Sequence, residues 1–385
     1  MKNFVIKELV NSNILEEIRA IDFDCNYATK AVSKFKYKNL KIFGLSAAQA
    51  NILKQLALSV GADCATPKNT ITGMLEKADC ILGGSVSQIE KIISKLGIQP
   101  FGLKHLANRL QEYIQSNIKK SSKTKIMGIL NLTNNSFSDG GLYVDFDNAQ
   151  RHIQIMIEEG ADIIDIGAES TKPGALPISP QEQLERILPI LKYINKQNIK
   201  IPISIDTRSA DVARKCLDFG ANAINDVSGL GYDKDMVKVI ADYECPVVIQ
   251  HSKGTPDVMQ DNPDYENLMD EIFNDLNNKI AYAQINGIKK ENIIIDPGIG
   301  FGKTREHNFE ILNRLEEFRG LNCSILLGVS RKSLLNMSDA DNLTKDIYTV
   351  ALNTLAIERN VDIIRVHNVG LHRQLIDMID IINTI

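Results

Sequence analysis

KIMGILNLTNNSFSDGG, residues 125–141, joins an apolar run to a loop holding three Asn, two Ser, one Asp and two Gly. The run reads as a short buried strand, because a few apolar residues bounded by a turn signal suit a strand covered on both faces. The loop decides between two parallel-sheet folds. An open doubly wound sheet carries a glycine fingerprint, G-x-G-x-x-G, after its first strand, and this loop has none. Similar runs recur at ADIIDIG (161–167), IPISID (201–206), NAINDVS (222–228), CPVVIQH (245–251), NIIIDPG (292–298), SILLGVS (324–330) and VDIIRVH (361–367). Amphipathic stretches of helix length, such as SPQEQLERILPILKYINKQ and SADVARKCLDFG, lie between them. Eight strand-and-helix repeats over about 260 residues predict the α/β class and a (β/α)8 TIM barrel.

Upstream, QSNIKKSSKTK (115–125) is polar and lysine-rich and reads as a linker. It divides the chain into residues 1–120, a small N-terminal α/β domain of unknown role, and residues 121–385, the barrel. Within the first part LKIFGL and ADCILGG are strand-like. SAAQANILKQLALSVG is helix-like, with Ser46 as its cap and Gly61 as its stop, and SVSQIEKIISKLG is a second helix. Residues 1–120 hold 17 Lys and Arg against 10 Asp and Glu, and the remainder 27 against 38, so a basic part precedes an acidic one. The lysines are dispersed and do not interleave with aromatics as a stacking platform requires. No nucleic-acid partner is expected.

No run approaches the roughly 18 apolar residues of a membrane span, and the first residues do not read as a signal peptide. A cytoplasmic protein with no membrane partner is expected. The six cysteines (Cys25, Cys64, Cys80, Cys216, Cys245 and Cys323) include no C-x-x-C pair and read as reduced core residues.

In a parallel barrel the interior is filled with apolar side chains, and polar residues at the C-terminal ends of strands face the mouth. Here the strand ends carry Asn131, Asp206, Asn225, Gln250 with His251, Asp296, Ser330 followed by Arg331, Lys332 and Ser333, and Arg365 with His367. Taken singly, each has a plain structural use: Asp206 as the cap of the next helix, Asn225 as a partner for nearby backbone. Taken together they form a ring. Two carboxylates and an amide suit a flat heterocycle with several N–H donors, and Lys332, Arg365 and His367 suit phosphate oxygens. PGIGFGKT is not a P-loop, because Pro297 stands where that motif needs glycine. His251 and His367 lack a third ligand at zinc spacing.

GILNLTNNSFSDGG, GADIIDIGAESTKPGA, ISIDTRSADVA, INDVSG, DPGIGFGKTREHN, GVSRKSLL and DIIRVHNV resemble, in order and spacing, the motifs of the dihydropteroate synthase family. The resemblance covers residues 125–385. It implies condensation of 6-hydroxymethyl-7,8-dihydropterin pyrophosphate with p-aminobenzoate, giving 7,8-dihydropteroate and pyrophosphate in folate biosynthesis. It implies that Asp206, Asn225, Asp296, Lys332 and Gln250 hold the pterin, and that Thr171, Pro173, Phe301 and Ser333 hold p-aminobenzoate. Asn131, Arg365 and His367 would hold pyrophosphate, with magnesium as cofactor on Asn131. Asp139, Phe137, Lys172 and Lys332 would serve catalysis, with Ser136, Phe137 and Asp139 closing over the reaction centre and Gly140 and Gly141 as hinge. A homodimer joined through barrel helices and a sulfonamide target are implied as well.

The chain departs from the family pattern at three places. Asn134 and Asn135 follow Thr133 where the family has Pro and Asp, Lys172 replaces an arginine, and Gln250 replaces a methionine. These changes, with the extra N-terminal domain, keep a non-catalytic pterin-binding regulator as an alternative. A pterin-dependent methyltransferase shares the barrel, but needs neither an aniline pocket nor a pyrophosphate site.

Overall fold

The computed structural model describes residues 5–9, 13–116, 123–132, 141–169, 178–254, 263–332, 334 and 340–384. The chain divides into two compact units, Met1–Lys120 and Ser121–Ile385.

The first unit contains α1 (Ile14–Ala20), α2 (Cys25–Phe35), β1 (Tyr37–Leu45), α3 (Ala47–Ser59), β2 (Asp63–Ala65), β3 (Ala78–Ser85), α4 (Val86–Leu96) and α5 (Leu103–Ser116). The strands form an antiparallel sheet in the order β1-β3-β2. Helices α3 and α4 start alike: Ser46 and Ser85 each accept from the backbone of a glutamine three residues on, whose side chain returns the bond. This reciprocal box satisfies two orphan N–H groups at each helix start. Ile42, Cys64, Cys80 and Leu82 on the sheet join Leu53, Ile89, Ile92 and Leu96 of these helices in one core. Ile81, on the opposite face of β3, is half exposed.

The second unit alternates β4 (Lys125–Asn131), α6 (Gly141–Glu158), β5 (Ile163–Gly167), α7 (Pro180–Lys196), β6 (Ile203–Asp206), α8 (Ala210–Asp218), β7 (Ala223–Asp226) and α9 (Met236–Tyr243). It continues with β8 (Val247–Gln250), α10 (Leu268–Ile285), β9 (Ile293–Asp296), α11 (Arg305–Asn313), β10 (Ser324–Leu327), α12 (Asn342–Glu358), β11 (Ile363–Val366) and α13 (Val369–Thr384). All eight strands pair in parallel and close into a barrel, β11 returning to β4. This is the TIM barrel that the rhythm predicts.

Side chains of a strand alternate between its faces. One set, including Ile164, Ile205, Ile224, Ile249, Ile295, Ile325 and Ile364, packs outward in the main core. The other set meets inside the barrel, where Met127, Val248, Leu326 and Ile363, with Ile163 and Ile294, form a separate apolar plug. Each such buried side chain contributes on the order of 1.5–3 kcal/mol relative to exposure. The plug closes the barrel and gives the residues above it a floor.

All six cysteines are free; five are buried as expected, and Cys25 is exposed. Among the described residues, no helix is long and apolar enough to cross a membrane.

Candidate active site

Two residues beyond Ile163, Val248, Ile294 and Ile363 of the plug stand Asp165, Gln250, Asp296 and Arg365. A two-residue step keeps a side chain on the same face, so the polar layer rests directly on the apolar one. Asp206 and Asn225, at the ends of β6 and β7, complete this layer and are buried.

Arg365 is its centre. Its Nε donates to Asp165 at 2.7 Å and one terminal nitrogen, Nη2, donates to Asp206 at 2.7 Å. Asn225 donates its side-chain amide to the same Asp165 oxygen at 3.0 Å. Burial pushes the Asp206 carboxyl above the usual carboxylate range, with Arg365 pulling it down and Asp165 pushing it up. One guanidinium shared between two carboxylates leaves a shortage of positive charge at the barrel mouth. Burial lowers the Arg365 pKa, but the two carboxylates overcome it and hold the guanidinium charged.

The simpler uses of these residues do not apply. Ser209, not Asp206, caps α8, and the Asn225 side chain donates to a carboxylate rather than to backbone. Asp165 is absent from the residues singled out by sequence. It is fully buried, and its Oδ1 has no hydrogen-bond partner in the described structure. The buried Gln250 Nε2 likewise has none. An unpaired acceptor and an unpaired donor in one buried layer are costly unless something else pairs with them.

Lys332 follows β10, the strand paired with the one that carries Arg365. Its Nζ donates to the Ile299 carbonyl at 2.6 Å and lies 4.6 Å from the centre of the Phe301 ring. Burial pushes this amine down to about 8, with the Asp296 charge opposing the fall. The Asp296 carboxyl is itself raised by burial, while Lys332 and the Gly298 N–H, at 2.7 Å, draw it back. The β8 and β9 loops are pressed together here. A side chain at Gly298, whose φ is +71°, would put its Cβ 1.8 Å from the His251 carbonyl oxygen, so this position admits only glycine. Lys303 lies beneath, its Nζ 2.9 Å from both His251 Nδ1 and the Phe301 carbonyl. Burial takes Lys303 down to about 7, and burial with the nearby lysine charges takes His251 down to about 2, so this imidazole is neutral.

The remaining polar residues lie around this frame. Ser330 Oγ is 2.9 Å from His367 Nδ1. Asn131 ends β4 opposite Gly167 of β5, where any Cβ would meet that of Asp206 at 3.2 Å. Glu169, just past β5, takes two hydrogen bonds from Arg208, at 2.9 and 3.2 Å, and the Arg208 guanidinium lies 4.2 Å from the Tyr232 ring centre. Asp165, Glu169, Arg208 and Lys303 are thus residues of the mouth that sequence reasoning passes over. Phe137, Asp139, Thr171, Lys172, Pro173 and Ser333, with Ser136 and Gly140, lie outside the described residues; Gly141 is the first residue of α6.

Acceptors at Asp206 and Asp296, an amide at Asn225 and a cation at Lys332 surround one mouth with an aromatic wall, Phe301. The pattern suits a flat, nitrogen-rich ring.

Residues 127–367 match the family model described as pterin binding enzyme. The dihydropteroate synthase of Clostridium beijerinckii is 47% identical over 68% of this chain and 94% of its own. A Clostridium difficile dihydropteroate synthase, with a crystal structure obtained in the presence of pteroic acid, is 42% identical at a TM-score of 0.64, over 69% of this chain and 98% of its own. A probable bifunctional folylpolyglutamate synthase/dihydropteroate synthase of Haloferax volcanii is 35% identical over 83% of this chain and 40% of its own. That share, about 320 of 385 residues, exceeds the 265 residues from Ser121 to Ile385, so the similarity reaches into the first unit. The chain belongs to the dihydropteroate synthases, transferases of folate biosynthesis within the pterin-binding enzyme family.

Proposed function

We propose that the polar layer above the plug divides the synthase reaction between two sets of residues at the mouth. Asp206, Asn225, Asp296, Gln250 and Lys332 take the pterin, and Asn131, Arg365 and His367 take the pyrophosphate. The observation that carries this reading is the pair of buried, unpartnered groups, Asp165 Oδ1 and Gln250 Nε2, beside carboxylates already fixed by Arg365 and Gly298. A ring with both N–H donors and acceptors satisfies such a layer; an apolar ligand leaves it unpaired. Arg365 commits Nε and Nη2 to carboxylates, and its remaining terminal nitrogen serves as the donor to pyrophosphate.

In this division the bond between the pterin methylene and the pyrophosphate oxygen breaks, and its electron pair leaves with pyrophosphate. The aniline nitrogen of p-aminobenzoate forms the new bond to the methylene and loses a proton. Positive charge develops on the pterin side, near Asp206 and Asp296, and negative charge on the side of Arg365. The amine is already nucleophilic when neutral, so holding it in line contributes more than deprotonation. Phe301, with Thr171, Pro173 and Ser333, is assigned to that positioning, and Phe137, Asp139 and Lys172 to closure over the reacting atoms.

Magnesium fits the donor set. The Asn131 amide supplies a hard oxygen donor at the end of β4. Such a site matches an ion held chiefly by substrate phosphates and water. When bound, magnesium neutralises charge on the leaving pyrophosphate.

Pairing of two chains belongs to the same proposal. Helix α12 exposes Leu343, Ile347 and Tyr348, and α13 exposes Met378 and Ile381, an apolar area suited to an equivalent surface. Sedimentation of the full chain checks for a dimer.

The assignment is tested by pyrophosphate release from the full chain supplied with the pterin pyrophosphate, magnesium and p-aminobenzoate. Release requires p-aminobenzoate, and Lys332→Ala lowers it by about 10²–10³-fold while the protein stays folded. Undiminished release by that variant overturns the role of Lys332.

A further inference from the structure

Arg331 stands between two residues of the mouth, Ser330 and Lys332, with φ at +57°, a left-handed conformation that residues other than glycine and asparagine seldom adopt. A backbone outlier next to functional side chains calls for whatever holds it there. In this chain the holder is on α12. Arg331 Nε donates to Asp346 Oδ1 and a terminal nitrogen to Asp346 Oδ2, both at 2.7 Å. One turn on, Thr349 Oγ1 accepts from the Arg331 N–H at 3.4 Å. Asp346 is 2% exposed and Thr349 fully buried. Asn368, directly after His367, donates to Asp346 Oδ2 at 3.2 Å.

We propose that Asp346 is a positioning residue for the reaction, acting through Arg331 to fix the turn from which Ser330 and Lys332 enter the mouth. This rests on the assignment of Lys332 to the pterin. The left-handed turn sends three consecutive side chains in three directions. Ser330 meets His367, Arg331 points to α12, and Lys332 reaches the Ile299 carbonyl. A planar fork on a carboxylate fixes both distance and plane, which a single hydrogen bond does not. Through Asn368 the same carboxylate touches the β11 loop, so one buried group ties together the two segments assigned to the pterin and the pyrophosphate. Burial raises the Asp346 pKa, but Arg331, Asn368 and His367 together hold it below the usual carboxylate range, so the partner of the guanidinium is charged.

The test is a double-mutant cycle on the full chain, with the wild type and Lys332→Ala as controls. Turnover by the wild type and its loss in Lys332→Ala establish the underlying assignment independently of Asp346. Against that background, Asp346→Asn lowers kcat/KM for the pterin pyrophosphate about tenfold at a temperature well below its unfolding transition. Because glycine adopts the left-handed turn unaided, Arg331→Gly combined with Asp346→Leu recovers to within about threefold of wild type. The pair also keeps the test open if Asp346→Asn does not fold. The alkaline limb of kcat/KM provides a readout that simple destabilisation leaves in place. Lys332 is surrounded by Asp296 of β9, Asp206 of β6 and Arg365 of β11, and loosening its turn toward solvent moves that limb upward. Folded Asp346→Asn with kcat/KM within twofold of wild type overturns the proposal. So do losses in Arg331→Gly and Asp346→Leu that simply multiply in the double variant.

Discussion

The two units of this chain solve the problem of burial in opposite ways. The first places a three-stranded sheet under helices and, among the described residues, buries two polar side chains, Thr70 and Ser85, neither ionisable. The second closes its sheet and, among the described residues, buries Asp165, Asp206, Asp226, Asp296, Lys303, Asp346, His251 and His372, with ten further polar residues. Buried charges persist in a fold only when paired or when a ligand pairs with them. The difference therefore locates the chemistry. In the first unit one buried hydroxyl, Thr70 Oγ1, lacks a hydrogen-bond partner, whereas the barrel carries a desolvated polar layer with charged members that its own contacts only partly satisfy.

The comparison breaks most sharply at Arg365. Arg365→Met leaves Asp165 and Asp206 facing each other without a cation and Asn225 as their remaining amide. Removing one member of a buried ion group costs roughly 3–5 kcal/mol. Thermal unfolding followed by calorimetry should show the barrel transition falling, and pyrophosphate release should drop by roughly 10³-fold or more, since charge stabilisation and carboxylate placement are lost together. An unchanged transition would mean that the two carboxylates take up protons at no cost, and that the layer is less desolvated than its burial indicates.

Arg365 also marks how far the sequence could be read. Asp206, Asn225, Asp296, Arg365 and His367 are legible because the end of a parallel strand fixes the direction of its side chain. Asp165 is not. It sits inside ADIIDIG, where both strand faces are buried and the alternation that would reveal an inward residue is hidden by isoleucine on every side. Asp346 is hidden differently, because an aspartate in NLTKDIYTVALNTL reads as an ordinary solvated helix position until the fold brings Arg331 to it. Strand β2, three residues long, falls below any periodicity, and its place is set by pairing with β3. The capping serine of α3 was readable because a helix start is decided within four residues.

A change of pH sharpens the same contrast with a smaller effect. Lys332 is pushed down to about 8 and Lys303 to about 7, each by burial first. An unfolded chain returns both to the ordinary lysine range near 10.4. Between those values the unfolded state holds more protons than the folded one, so these two groups make stability rise with pH from about 7 to about 10. Activity follows the opposite course. The Lys332 ammonium is the donor, so kcat/KM for the pterin pyrophosphate falls toward tenfold per pH unit above about 8. A profile measured with Lys332→Arg should lose that alkaline limb, because a guanidinium stays charged throughout. Retention of the limb in that variant would assign it to another group.

The smallest effect on turnover is expected from the first unit, and it separates folding from chemistry. Leu82 is fully buried in the sheet core against Leu53, Ile89 and Ile92. Leu82→Ala removes buried methyl groups from a packed site and should destabilise that unit by about 2–5 kcal/mol. The residues assigned to the reaction all fall in the second unit, Ser121–Ile385. Proteolysis under native conditions should accordingly cleave the first unit sooner in the variant, while kcat/KM for both substrates stays within twofold of wild type. A larger loss of kcat/KM, in protein whose barrel transition is unchanged, would show that the basic unit contributes to catalysis through the fold it stabilises. The similarity to the Haloferax volcanii protein, which extends beyond the barrel, would then reflect a working pair of units.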